Sequence, residues 1–385
     1  MTAIIKAADA AEFLALVPRL AGYRPVRSLA LVPFAGKRTL GVMRVDLPSA
    51  DADVDLDSIA ATLVGMVCRI READCVAIVV YTDEDFAVRG GVAQESFVRA
   101  LIGKADACGL RLMEALCVAA DGWGSYLEEG RPRHPLDEIA DDDLVDRLPA
   151  DMRAPLADHT SGAELPEVDL AQTERAGRAL LALGDAVDAV CAATGREAAA
   201  HADLAKLDPQ ALAAACALDD IPALFEDALR WDPADLRPAD AAAIIWCLAR
   251  PALRDIALVQ WCTGIDVGDA ALDAQLRWQD GEDYPASLAE HLWGQGERPD
   301  PDRLERGLQI ARHAAALAPR ESRPGPLATA GWLAWALGRS THAGWYAQRA
   351  IEIDPQHGLT GILVAMLNAG HLPEWVFDRR LPSAT

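Results

Sequence analysis

One short run constrains the fold of this 385-residue chain more than any other: Cys75-Val-Ala-Ile-Val-Val-Tyr81, followed at once by Thr82-Asp83-Glu84-Asp85. Seven apolar or aromatic residues without a polar break, rich in β-branched side chains and ended by acids, read as a strand buried on both faces. Such a strand belongs in a sheet that helices cover on both sides. A buried helical turn is the competing assignment, and the run is short for it, since helices commonly need ~10 residues or more.

The neighbouring segments supply the rest of that sheet. Ala8 to Leu20 is apolar at Ala11, Leu14, Ala15 and Val17 and reads as a short amphipathic helix stopped near Pro18, with Gly22 and Pro25 as turn punctuation. Ser28 to Phe34 and Thr39 to Leu47 read as a hairpin across Ala35-Gly36-Lys37-Arg38. Ile59 to Arg71 predicts a helix with Asp57 or Ser58 as N-cap, and Gln94 to Ala107 another, closed by Gly109. Leu112 to Ala119 then predicts a strand leading into the turn Asp121-Gly-Trp-Gly-Ser-Tyr126.

Hairpin, helix, strand, helix, strand is the order of an α/β N-terminal domain, a mixed sheet with helices on its faces, over residues 1–127. Helical crossovers are right-handed and put the carboxyl ends of the second, third and fourth strands along one edge. In open α/β sheets that edge is where ligands bind. It gathers Arg44 and Asp46, then Tyr81, Asp83 and Asp85, then Trp123, Ser125 and Tyr126, as a candidate ligand-binding cleft. Polar strand ends, helix-capping acids and an ordinary Gly-Trp-Gly-Ser turn account for the same residues without any site. Both explanations stand at this point.

No motif names a reaction. There is no Walker loop and no dinucleotide-binding glycine fingerprint. Ser125 is not in a nucleophile elbow, because no glycine follows it by two residues. Glu290-His291 is an isolated pair, no His-Glu-x-x-His occurs, and the eight histidines are scattered away from the predicted cleft. The expectation is therefore no cofactor and no metal, with catalytic residues unassigned and enzymatic activity undecided.

Several blocks carry a family resemblance: Val17-Pro-Arg-Leu-Ala-Gly-Tyr-Arg-Pro25, Ser28-Leu-Ala-Leu-Val32, Arg44-Val-Asp-Leu-Pro48, Val79-Val-Tyr81 and Trp123-Gly-Ser-Tyr126. In order and spacing they resemble the actinobacterial domain-of-unknown-function family 4192, most strongly over residues 12–126 and again near the C-terminus. Members of that family often continue past the Trp/Ser/Tyr block with a cysteine- and proline-rich segment, where this chain has Leu127-Glu-Glu-Gly-Arg-Pro-Arg-His134. The resemblance implies the fold and carries no reaction.

Residues 128–168 read as an acidic, Pro-rich linker, with Asp141-Asp-Asp143, Pro149, Pro155 and Pro166 and one short helix at Ala140 to Leu148. Residues 169–385 are helical in pattern: a long amphipathic helix from Leu170 to Cys191, then shorter ones from Pro209, Ile221 and Pro238. Small residues at Gly331, Ala343 and Ala350 followed by Pro355 resemble a tetratricopeptide helical hairpin, its last copy spanning about Ala328 to Asp354 plus Gly358 to Ala369. Ala314 with Pro319 and Ala228 with Pro233 repeat the spacing at no constant period. Nine of the ten tryptophans lie in this half. Large aromatics fill the gaps that Ala-rich helices leave; exposed, they would anchor a protein partner, with Trp335, Trp345 and Tyr346 foremost.

A formal charge of −23, with no Lys/Arg cluster to offset it locally, argues against a nucleic-acid partner. The eight cysteines form no Cys-x-x-Cys pair and read as free thiols buried as small hydrophobes in a reducing compartment. Lys6, Asp9 and Glu12 interrupt any signal-peptide core, and the most apolar stretch, Ala241 to Ala249, is about half a membrane span. The functional expectation is a cytoplasmic protein-interaction or scaffold protein. The alternative is an enzyme or small-ligand-binding protein using the strand-end cleft, its ligand cationic or hydroxyl-bearing because of Asp46, Asp83 and Asp85.

Overall fold

The computed structural model describes residues 7–48, 55–86, 92–130, 132–139, 148, 156–194 and 207–377. The chain divides into two compact units, Met1–Ser161 and Gly162–Thr385.

The first unit is built on a six-stranded mixed sheet of β1 (Ser28–Ala35), β2 (Arg38–Thr39), β3 (Met43–Asp46), β4 (Cys75–Tyr81), β5 (Arg111–Val118) and β6 (Trp123–Ser125). The apolar run is β4, and it is central: antiparallel to β1 on one side and parallel to β5 on the other. All seven of its residues are buried. β2 and β3 both pair with β1, and β6 folds back antiparallel on β5. The register aligns Asp46, Ser28, Tyr81, Val118 and Trp123 in one row, so the carboxyl ends of β3, β4 and β5 do share an edge.

Alternation along the strands gives the sheet two apolar faces. One carries Ala30, Val32, Ala77, Val79, Leu116 and Trp123, covered by Leu14 and Val17 of α1 (Ala10–Ala21). On the other, Leu29, Leu31, Val76, Ile78, Val80 and Cys117 are all buried, while α2 (Leu56–Cys68) and α3 (Glu95–Ala107) pack on each other and α3 on β5.

Three local expectations are corrected. Pro18 does not stop α1 but lies inside it, and the helix ends at Gly22 (φ 82°), whose N–H donates to the Pro18 carbonyl. Burial of Leu14 and Val17 outweighs the one main-chain bond that proline removes. The cap of α2 is Asp55, whose carboxylate accepts from the N–H groups of both Asp57 and Ser58. The Gly-Trp-Gly-Ser turn is a short strand. The expected helix from Ala140 to Leu148 and the acids Asp141–Asp143 lie almost entirely outside the described residues.

The second unit is largely helical. Its main helices are α4 (Leu170–Thr194), α5 (Pro209–Ala217), α6 (Ile221–Ala228), α7 (Pro238–Leu248), α8 (Pro251–Thr263), α9 (Ile265–Gln279), α10 (Pro301–Leu317), α11 (Pro324–Ala336), α12 (Ser340–Ile351) and α13 (Gly358–Asn368). Its largest buried side chains are Trp261, Trp332, Trp335 and Tyr346. Trp335 and Tyr346 are completely buried, which corrects their expected role on a partner surface; Trp345 is half-buried, with the Arg349 guanidinium 4.1 Å above its ring. The physical reason is volume: small residues leave space that the rings fill. A Cβ on Gly307 would lie 2.9 Å from the Trp261 ring, and one on Gly294 2.6 Å from that of Trp335.

Each buried indole also closes a hydrogen bond to a main-chain carbonyl far along the chain. Trp261 donates to Phe225 (3.2 Å), Trp332 to Leu292 (3.0 Å), Trp335 to His371 (2.8 Å) and Trp375 to Ala336 (2.9 Å). Phe225 and Ala336 lie in the last turns of α6 and α11, where carbonyls lack helical partners. Of the cysteines, Cys75, Cys117, Cys247 and Cys262 are buried, but Cys68, Cys108, Cys191 and Cys216 are exposed, against the expectation that most would be core.

Candidate functional site

The α1-covered face of the sheet carries two polar clusters. One surrounds Arg44, whose side chain is 5% exposed. Its Nε donates to Ser28 Oγ at 2.7 Å, and Ser28 Oγ in turn donates to the Val26 carbonyl at 2.6 Å. One Nη donates to Asp46 at 2.5 Å and lies 3.1 Å from His159 Nε2. A guanidinium cannot accept, so this places the His159 proton on Nδ1, a buried nitrogen with no hydrogen-bond partner among the described residues. Burial first, and the Arg44 charge second, depress the His159 pKa below the usual range and keep the ring neutral. Tyr23 meets the same ring edge-on, its own pKa raised by burial. Arg44 is thus committed to protein groups, and the cluster reads as a clamp on the end of β3.

The other cluster lines a cavity of about 500 Å³, walled by Asp9, Ala10, Ala11, Glu114, Trp123, Ser125, Leu127, Glu128, His134 and Glu138. It lies where the start of α1 meets β5 and β6. Local sequence builds this wall. Trp123 and His134 exchange main-chain hydrogen bonds of 2.9 and 2.8 Å, extending the sheet by one residue. That approach needs the glycines on either side of the tryptophan: a Cβ on Gly122 would lie 2.7 Å from the His134 carbonyl, and one on Gly124 2.9 Å from the Pro132 carbonyl. Gly-Trp-Gly is therefore a device for bringing residues 132–134 against the sheet. Across the pair, the imidazole stacks on the indole at 4.4 Å and 21°. His134 is also held by Glu128 (Nε2, 3.2 Å) and Glu138 (Nδ1, 3.6 Å).

The cavity wall is acidic, and its carboxylates differ. Asp9 caps α1 through Glu12 N–H, while Glu128 and Glu138 face His134. Glu114 projects from β5 toward the cavity with its pKa raised by burial alone. Trp123, 6% exposed, leaves its indole N–H without a hydrogen-bond partner among the described residues. Ser125 Oγ touches the Ala115 carbonyl at 3.3 Å and accepts from Leu127 N–H at 3.1 Å. Chemically the site sets around one space a carboxylate with no cation beside it among the described residues, a hydroxyl, and the ring of a tryptophan whose own N–H is buried and unpaired.

The eight cleft residues do not meet in one concavity. Trp123 and Ser125 line the cavity, and Arg44 and Asp46 form the separate clamp. Tyr81 is buried, its hydroxyl without a hydrogen-bond partner among the described residues and its pKa raised by burial. Asp83 faces Arg27 at 3.6 Å on the exposed edge, and Asp85 is exposed. Tyr126 turns to the opposite face, its hydroxyl donating to the Ala93 carbonyl at 2.5 Å beside Cys117. Sequence reasoning missed Asp9, Glu114, Glu128, His134 and Glu138. One signal was available: Glu114 is the single acid within Leu112-Met-Glu-Ala-Leu-Cys117, an otherwise apolar strand.

Among the described residues no helix is long and apolar enough to cross a membrane, and no group of three or more His, Cys, Asp or Glu is placed to hold a metal ion. A family model described as "Domain of unknown function (DUF4192)" matches residues 11–374. No curated protein and no solved structure matches the chain.

Proposed function

Since the chain belongs to domain-of-unknown-function family 4192, we propose from its geometry that it is a small-ligand-binding protein whose ligand is a small organic cation carrying hydroxyl groups, an amino alcohol or amino sugar. The observation that carries this is the pairing, in the wall of one cavity, of a partly desolvated carboxylate (Glu114) without a cation and a buried indole N–H (Trp123) without an acceptor, both among the described residues. A buried donor left unmade costs about 1–3 kcal/mol, and a carboxylate is held out of water most easily when a cation joins it. A ligand hydroxyl would accept from the indole N–H, and an ammonium group would pair with the carboxylate. The volume suits a metabolite-sized molecule. Thermal melting with glucosamine and with glucose tests it. Glucosamine is expected to raise Tm in the native protein and not in Glu114→Gln, and glucose to do nothing. Equal shifts with both sugars, or an unchanged amine response in Glu114→Gln, would refute it.

The scaffold alternative keeps one support. At Gly331 a Cβ would lie 2.8 Å from Leu363 and 3.3 Å from the Ala343 carbonyl, the close helix approach expected of a tetratricopeptide-like hairpin in a cytoplasmic, partner-binding protein. Trp335 and Tyr346 no longer contribute, which leaves Trp345 as its anchor; Trp345→Ala should then weaken capture of a protein partner in a pull-down.

A further inference from the structure

Two of the four exposed cysteines stand together. Cys68 is the last residue of α2, and Cys108 is the C-cap of α3. The two helices pack side by side, each runs from the strand-end edge of the sheet back toward the edge where β4 and β5 begin, and both end there. Both thiols are exposed. Burial, and after it the neighbouring Cys108 thiol, raise the Cys68 pKa, as two thiols at adjacent helix ends do. Two neighbouring thiols on separate, packed helix ends differ from the other exposed pair, Cys191 and Cys216, which lie on α4 and α5 of the helical unit and have no such mutual contact among those described.

We propose that Cys68 and Cys108 form a surface dithiol that exchanges with low-molecular-weight disulfides and closes to a reversible cross-link between α2 and α3. The chemistry balances in two steps. A thiolate of the pair attacks one sulfur of an external disulfide RSSR, forms a mixed protein disulfide and releases RS⁻, which takes up a proton as RSH. The second cysteine, deprotonated in its turn, attacks the protein sulfur of the mixed disulfide; the Cys68–Cys108 bond forms and a second RSH leaves. The protein loses two hydrogens and is oxidised by two electrons, and RSSR is reduced to two RSH. The second step is intramolecular, so the neighbouring thiol acts at a high effective concentration and the mixed disulfide does not accumulate. The cross-link lies on the sheet face opposite the Glu114 cavity and is independent of ligand binding there.

The experiment uses the full chain, reduced and then equilibrated with oxidised glutathione, followed by alkylation of remaining thiols, digestion and mass spectrometry. The expected product is a peptide pair joined through Cys68 and Cys108, with exposed Cys216 carrying glutathione instead. In Cys68→Ser and in Cys108→Ser the remaining cysteine should accumulate the glutathione adduct at least about tenfold above its native level, because the resolving thiol is gone. Both positions are exposed helix ends, so the serine variants should melt with the native protein. Glutathione retained on both cysteines of the native chain, as on Cys216, would overturn the proposal. So would a native adduct level equal to that of the single variants.

Discussion

The two units bury tryptophan in opposite ways. In the helical unit, Trp261, Trp332, Trp335 and Trp375 each donate an indole N–H to a distant main-chain carbonyl, and glycines close on the rings of Trp261 and Trp335. In the sheet unit, Trp123 is also buried, though less completely, and donates to nothing among the described residues. Burial of the ring follows from the same hydrophobic gain in both. The difference lies in the polar atom: a satisfied indole serves the fold, whereas an unsatisfied one carries an uncompensated desolvation cost, which the proposed ligand would relieve.

The largest effect should come from removing a satisfied indole with its ring. Trp335→Ala is expected to destabilise the helical unit by about 4 kcal/mol in chemical denaturation, because a cavity opens where Gly294 closes on the ring and the His371 carbonyl loses its donor. A loss under about 1 kcal/mol, the range of an ordinary surface substitution, would mean the core repacks around the hole.

Replacing only the polar atom sharpens the contrast. Trp335→Phe should cost about 2 kcal/mol, since some ring volume and one buried hydrogen bond are lost. Trp123→Phe should be close to neutral, because no hydrogen bond is given up and the desolvation cost of an idle donor is removed. Equal losses at the two sites would erase the distinction between them.

The smallest effect concerns Glu114. Its folded pKa is raised by burial, so protonation favours the folded state: that contribution is fully present below the unfolded pKa and is lost as pH rises through the raised folded value. Glu114→Gln should therefore remove a downward slope in stability over that window and leave the protein at neutral pH slightly more stable, by a few tenths of a kcal/mol for a partly exposed group. The control slope has the opposite sign. Glu226, held low chiefly by its bidentate bonds to Arg303 at 2.7 and 2.8 Å, stabilises above its unfolded pKa and loses that stability as pH falls through its folded value.

Much of the sheet was legible because its determinants are local. An unbroken β-branched run, a hairpin loop and the glycine that closes α3 fix strand order and the shared carboxyl edge. Tyr126 illustrates where this ends: alternation alone sends it to the face opposite Ser125, but Gly-Trp-Gly-Ser carries a turn's composition and hides the strand β6 that imposes alternation. The cavity was half legible. Trp123 and Ser125 lie on that strand, but His134 reaches them only because two glycines admit residues 132–134, and Asp9 comes from the other end of the unit's sequence. In the helical unit the tryptophans were visible and their exposure was not. Whether a ring on an Ala-rich helix points inward depends on a glycine tens of residues away, such as Gly294 for Trp335 or Gly307 for Trp261, and no local pattern encodes that pairing.

The most direct measurement is the indole region of a two-dimensional ¹H–¹⁵N NMR spectrum, where each tryptophan contributes its own N–H signal. The Trp123 signal is identified by its loss in Trp123→Phe. On titration with glucosamine it should move to a hydrogen-bonded position while the signals of Trp261, Trp332, Trp335 and Trp375 stay fixed, and in Glu114→Gln it should not move. A Trp123 signal that ignores glucosamine, or one that moves equally with glucose and without Glu114, would contradict the proposed site.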